Sequence, residues 1–178
     1  MVPFGRELYQ LAIRYPTYAS FSTATMAQLF GQPVLDRALH LQVDGFASVV
    51  LHNDGGGAFS ATPLPTLAQI SPIKAIVVHD VDGDGNLDLL VGGNLYDTEP
   101  NTPRADAGNG LWLRGDGHGR FTPVTPRASG FLAPHSVAGL ALLDTPTGKT
   151  VLVANTGDSL QAFAIRARTR PAGPVAAR

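Results

Sequence analysis

The sequence contains no cysteine. That excludes a disulfide, a thiolate metal site and a cysteine nucleophile, although it does not choose a redox compartment. Charge is scarce as well: 15% of residues are charged, against about 25% in ordinary domains. The net charge of −1 leaves no electrostatic reason to expect nucleic acid or an anionic membrane as partner. No apolar run approaches the ~18 residues that a transmembrane helix needs. The opening MVPFGRELYQLAIRYP lacks a basic segment followed by a clean apolar one, so it does not read as a signal peptide. Catalytic signatures are missing too. His40, His52, His79, His118 and His135 share no zinc spacing such as H-E-x-x-H. Ser136 follows His135 without a G-x-S-x-G elbow, and the glycines at 55–57 read as a hairpin turn rather than a phosphate loop.

What the chain does have is turns. Its 178 residues include 20 Gly and 14 Pro, a composition that suits many short strands in one domain. The most informative stretch is 74–94, KAIVVHD-VDGDGN-LDLLVGGN. Two short apolar runs, β-branched and leucine-rich, flank Asp80, Asp82, Asp84 and Asp88. Four carboxylates so close together repel one another, and a hard divalent cation is the simplest remedy. Calcium takes six to eight oxygen ligands in flexible geometry. The expected ligands are the side chains of Asp80, Asp82 and Asp84, the Asn86 carbonyl, and Asp88 closing the site. Gly83 and Gly85 let the backbone curl, because glycine reaches positive φ at no steric cost. An EF-hand would need a glutamate at loop position 12 and flanking helices. Val91 stands there instead, followed by Gly92-Gly93, so the flanks are expected to be strands of a hairpin. The alternative is a metal-free acidic turn, since Asp and Gly are ordinary turn residues.

The order strand, D-V-D-G-D-G-N-L-D, strand, G-G-N resembles an FG-GAP or VCBS repeat, the calcium-loop repeat of integrin-alpha-type β-propellers and of many bacterial surface proteins. NDGGGAF (residues 53–59) and GDGHGRF (residues 115–121) resemble the glycine turns that end such repeats. The wider order, from YASFSTATMAQLFG through PLPTLAQISP to RADAGNGLWL, is similar to the C-terminal part of bacterial VCBS proteins related to cartilage acidic protein and UnbV. The resemblance covers about residues 15–165. It implies calcium as cofactor and a location outside the cytosol, where free calcium is high.

Along the chain, apolar spacing predicts helices over 6–15 and 18–30, the second capped by Thr17 or Ser20, and a short helical segment over 34–39. Tyr9, Tyr15, Tyr18, Phe21 and Phe30 are expected to be core residues of these helices. From Leu41 onward strands are expected over 46–52, 58–62, both flanks of the acidic loop, 111–114, 120–123, 137–143, 149–154 and 160–165. Residues 96–110 form a long polar loop with Asp97, Glu99, Arg104 and Asp106, expected to be solvated and held by an Arg–carboxylate pair. The glycine turn at 53–59 recurs at 115–121, residues 76–80 recur as 140–144, and Asn94 recurs as Asn155, a period of about 60 residues that reads as propeller blades. The third unit has DTPTGKT in place of DVDGDGNLD, so Asp144 is expected to sit in a metal-free hairpin.

The expected fold is therefore mainly β. It is a partial β-propeller of about two to three four-stranded antiparallel blades with an N-terminal helical segment. The segments are 1–40 helical, 41–165 blades and 166–178 a disordered tail. So few blades cannot close a ring, so the chain is expected to be the C-terminal piece of a longer exported protein. The expected role is non-enzymatic: a calcium-stabilised scaffold or recognition module outside the cell. Its partners would be the remaining blades of a parent chain or another protein, and possibly a surface protein or glycan. The alternative is part of a secreted glycan-acting enzyme or its accessory domain, which would need two carboxylates set across a pocket.

Overall fold

The computed structural model describes residues 9–166. The chain divides into two compact units, Met1–Gly45 and Phe46–Arg178. The expected disordered tail lies, apart from Arg166, outside the described residues, as do the first residues of the helix expected over 6–15.

In the first unit four short helices follow one another: α1 Tyr9–Arg14, α2 Tyr18–Ser22, α3 Met26–Phe30 and α4 Gln32–Leu35. Thr17 caps α2, and it does so reciprocally with Ser20. The single helix expected over 18–30 is broken, and hydroxyl chemistry breaks it. Ser22 Oγ and Thr23 Oγ1 donate to the Ala19 carbonyl, while Thr25 forms a capping box with Gln28 that starts a new helix. Ser and Thr side chains compete in this way for backbone groups that would otherwise continue the helix. The helical segment expected over 34–39 is α4: it begins earlier, at Gln32, because Pro33 suits a first helical turn, and it ends at Leu35. The aromatics are not a core here. Tyr9 and Tyr18 are exposed, and none of the residues described in α2, α3 and α4 is buried. Tyr15 and Phe21 meet edge to face at 6.4 Å.

The second unit is mainly β, in three antiparallel sheets. The first sheet is the hairpin β1 Val49–Gly55 and β2 Ala58–Pro63. The second runs in order β3 Ile73–His79, β4 Asp88–Gly93, β5 Leu111–Gly115 and β6 Phe121–Val124. The third is β7 Val137–Thr145, β8 Gly148–Asn155 and β9 Gln161–Ile165. Two, four and three strands match the half, whole and incomplete blades that the repeat implies. A 3-10 turn at Thr66–Ala68 and a one-turn helix α5 at Pro126–Ser129 carry no periodicity of their own and were not expected.

The four-stranded sheet is apolar on both faces, because neighbours along each strand point to opposite sides. On one side Val77 and Leu90 join Phe131, Ala133, Val137, Val151 and Val153 of the third sheet and its lead-in. On the other, Val91, Leu111 and Leu113 join Leu64 and Ala68, with Val50 of the hairpin packed against them. Val137, Val151 and Val153 are wholly buried, and such a side chain contributes about 1.5–3 kcal/mol. Coverage ends at β3. Ile76 and Val78, on the side facing the hairpin, are 51% and 56% exposed, because a two-stranded sheet does not reach the first strand of a four-stranded one.

Pairing also corrects the repeat alignment. Ile73 lies opposite Gly93 and Val137 lies opposite Asn155, each followed by a bulge. The Asn94 N–H donates to Pro72 O, and the matching bond runs from Thr156 N–H to Ser136 O. The structural counterpart of Asn94 is thus Thr156, one residue beyond Asn155.

Candidate metal centre

The acidic loop joins β3 to β4, and its shape comes from its own carboxylates. Asp80 Oδ1 accepts from the N–H groups of Gly83 and Asp84, and Oδ2 from Gly85. Asp82 Oδ1 accepts from Asp84 N–H, and Asp84 Oδ1 from Asn86 N–H. Gly83 and Gly85 adopt φ of 76° and 94°, a region that costs L side chains strain. These turns aim the backbone donors inward.

Asp88 anchors the far end. It is wholly buried, its Oδ2 accepting from Val81 N–H at 3.0 Å and its Oδ1 from Gly115 N–H at 2.8 Å. Gly115 is needed there for space: a Cβ would lie 2.1 Å from the Leu87 carbonyl oxygen. Among the described residues no cation pairs with Asp88. Arg114 acts on it only from a distance, and a buried carboxylate without a contacting counter-charge pays a desolvation cost that two amide donors only partly offset.

The structure brings three of the five expected ligands together. Oxygens of Asp80, Asp82 and Asp88 lie within 4.8 Å of one another. Asp84 stands outside that group. Its Oδ2 takes a 2.7 Å bond from the Arg114 guanidinium, which also sets Nε 2.8 Å from Asp82 Oδ2. The Asn86 N–H and then Arg114 hold the Asp84 carboxyl below its ordinary value, and Asp84 in turn raises Arg114. Asn86 is held by its N–H, and its side-chain oxygen lies where a Cβ on Gly117 would come within 2.5 Å.

The donor set fits a hard cation. Every ligand atom is a carboxylate oxygen, and an oxygen that accepts one N–H keeps a second lone pair. The Asp80, Asp82 and Asp88 cluster can therefore hold a metal ion. Arg114 was not foreseen, because its contact spans two strands. The ladder that pairs Leu89 with Leu113, extended by one residue, sets Arg114 opposite Asp88, and that register was the signal available.

The third unit differs from this arrangement. Asp144 closes the β7–β8 hairpin, and Lys149 Nζ sits 2.5 Å from its Oδ1. Lys149 holds the Asp144 carboxyl below its ordinary value. The polar loop over 96–110 is held differently from expectation. Among the described residues Arg104 makes no ion pair; it lies over the Tyr96 ring at 5.2 Å from the centroid. Leu95 and Ala105 bridge the loop's ends, and the Tyr96 hydroxyl donates to Pro134 O. Asp97, Glu99 and Asp106 are exposed, with Glu99 accepting from Thr102 Oγ1.

No helix among the described residues is long and apolar enough to cross a membrane. Neither curated proteins nor solved structures give a match. A family model described as an FG-GAP-like repeat matches residues 44–91, a stretch that runs from just before β1 through the acidic loop into β4. The match to an FG-GAP-like repeat thus falls in the second unit and spans its first sheet and the first half of its second.

Proposed function

We propose that this chain is a calcium-stabilised, non-enzymatic repeat module that serves as a scaffold or recognition domain outside the cell. One observation carries the reading: the wholly buried Asp88 carboxylate, grouped with Asp80 and Asp82 and held only by main-chain donors. Calcium supplies the missing charge, with Asp84 and the Asn86 carbonyl completing its shell. Magnesium is a poorer fit, because it demands tight octahedral geometry. Sites of extracellular modules bind calcium weakly and fill where it is abundant, which supports a location outside the cytosol. The resemblance to cartilage-acidic-protein and UnbV-like VCBS proteins points to a longer parent chain. The exposed Ile76 and Val78 are where further blades of that parent, or of another protein, would pack. A surface protein or glycan is the expected ligand of the assembled module.

Calorimetric titration tests the reading. One calcium per chain is expected, abolished by Asp82→Ala with Asp84→Ala. At a hundredfold excess over Kd the ion contributes about 2.7 kcal/mol, which raises Tm by roughly 5–10 °C for a chain of this size. A stoichiometry of zero, or melting indifferent to chelator, refutes it.

A further inference from the structure

The loop is already paired with a cation from β5, Arg114. We propose that Arg114 competes with the bound ion for Asp82 and Asp84, so that the loop alternates between an arginine-latched state and an ion-held state. The proposal rests on the cation reading above and names what regulates that site.

Four features support it. Arg114 is the one side-chain cation paired with the loop among the described residues, and it engages Asp82 and Asp84. Asp82 belongs to the three-carboxylate cluster, so the guanidinium and the ion need the same group. The Arg114 backbone is fixed, since β5 pairs with both neighbours and the next residue, Gly115, donates to Asp88. Its side chain is not fixed in the same way: at 44% exposure it can turn to solvent once the ion takes Asp82. The third unit supplies the internal comparison. There the acidic cluster is gone, and Lys149 alone neutralises Asp144. A resident cation thus stands at the end of each of the two hairpins. In β3–β4 one positive charge faces four carboxylates, enough to hold two of them and too little to balance the set.

Competition makes a distinct prediction. Removing a counter-charge that only supports the loop would weaken ion binding, whereas removing a competitor strengthens it. Arg114→Gln is expected to bind calcium about fivefold more tightly, a change on the scale of partly exposed ion pairs. In chelator the variant is expected to melt below wild type, and in saturating calcium the two should melt together. Arg114→Lys keeps the charge but loses the planar two-pronged contact, and should fall between them. The assays are calorimetric Kd and Tm with and without calcium. If wild type binds calcium and Arg114→Gln binds it no more tightly, the competition is overturned while the cation reading stands. If neither chain takes up calcium, both fall.

Discussion

Asn94 offers the sharpest test of how the second sheet is tied to the third. It is wholly buried and is the one non-glycine residue at positive φ, 69°, among the described residues. Its Oδ1 accepts from Ser71 Oγ at 2.6 Å and Gly108 N–H at 2.9 Å. Its Nδ2 donates to Gly108 O and Pro134 O, each at 2.8 Å. One amide therefore joins the lead-in to β3, the end of the long loop and the lead-in to β7. Truncation to alanine strands both polar groups of Gly108 and the Ser71 hydroxyl, whereas Pro134 O keeps the Tyr96 hydroxyl. An orphaned buried group costs about 1–3 kcal/mol, so Asn94→Ala should lose roughly 4 kcal/mol, part of it because alanine tolerates this backbone less well than asparagine. Asn94→Gly removes the backbone strain and should recover about 1 kcal/mol. Urea unfolding reads the difference. With a slope of about 2 kcal/mol/M, the alanine midpoint should fall by about 2 M and the glycine midpoint by less, at unchanged slope. An alanine midpoint within ~0.5 M of wild type, or glycine falling further than alanine, refutes the account.

Other outcomes follow from the same contacts. Asp88→Asn turns an amide group toward one of two inward N–H donors, so it should lower Tm in chelator and remove the response to calcium; a variant that still gains Tm from calcium refutes the assignment. The depressed Asp144 carboxyl contributes stability that is present above its unfolded value and lost as pH falls through its folded one. The small stability difference between wild type and Lys149→Met should therefore shrink in that acid window, and a difference that persists below it argues against the pair. Anomalous diffraction from calcium-soaked crystals should show an ion in the β3–β4 loop and none at Asp144, and a peak there would overturn the metal-free reading of the third unit. The open side of β3 should make the isolated chain self-associate in light scattering, and Ile76→Lys with Val78→Lys should reduce it. A monodisperse wild-type monomer would refute that.

What the sequence made legible is what is local. The spacing of Asp80, Asp82 and Asp88 is written in nine consecutive residues, and the strands that gather them flank it directly. The strand order follows from glycine turns and apolar runs of the same kind. Arg114 was hidden because its role depends on register between β4 and β5. The alignment of Asn94 with Asn155 failed by one residue because letters were matched where paired partners decide equivalence. Helix α2 ended early because hydroxyls at 22, 23 and 25 compete for main-chain groups, an effect that apolar periodicity does not contain. Arg104 was assigned a carboxylate when the Tyr96 ring stood nearer.

The stretch matched by the repeat model begins with β1 and ends within β4, so one sequence repeat contributes hairpins to two different sheets. Sequence unit and structural unit are out of phase. Neighbouring sheets are then joined by the repeat itself as well as by side-chain packing. Loss of the matched stretch would remove the hairpin sheet and leave the second sheet with β5 and β6 and a new unpaired edge. In a linear array whose stability is a sum of unit and interface terms, this phase shift moves weight from the unit to the interface. Such an array should unfold over several sheets at once, and it should grow in evolution by whole repeats that each complete one neighbour and begin the next.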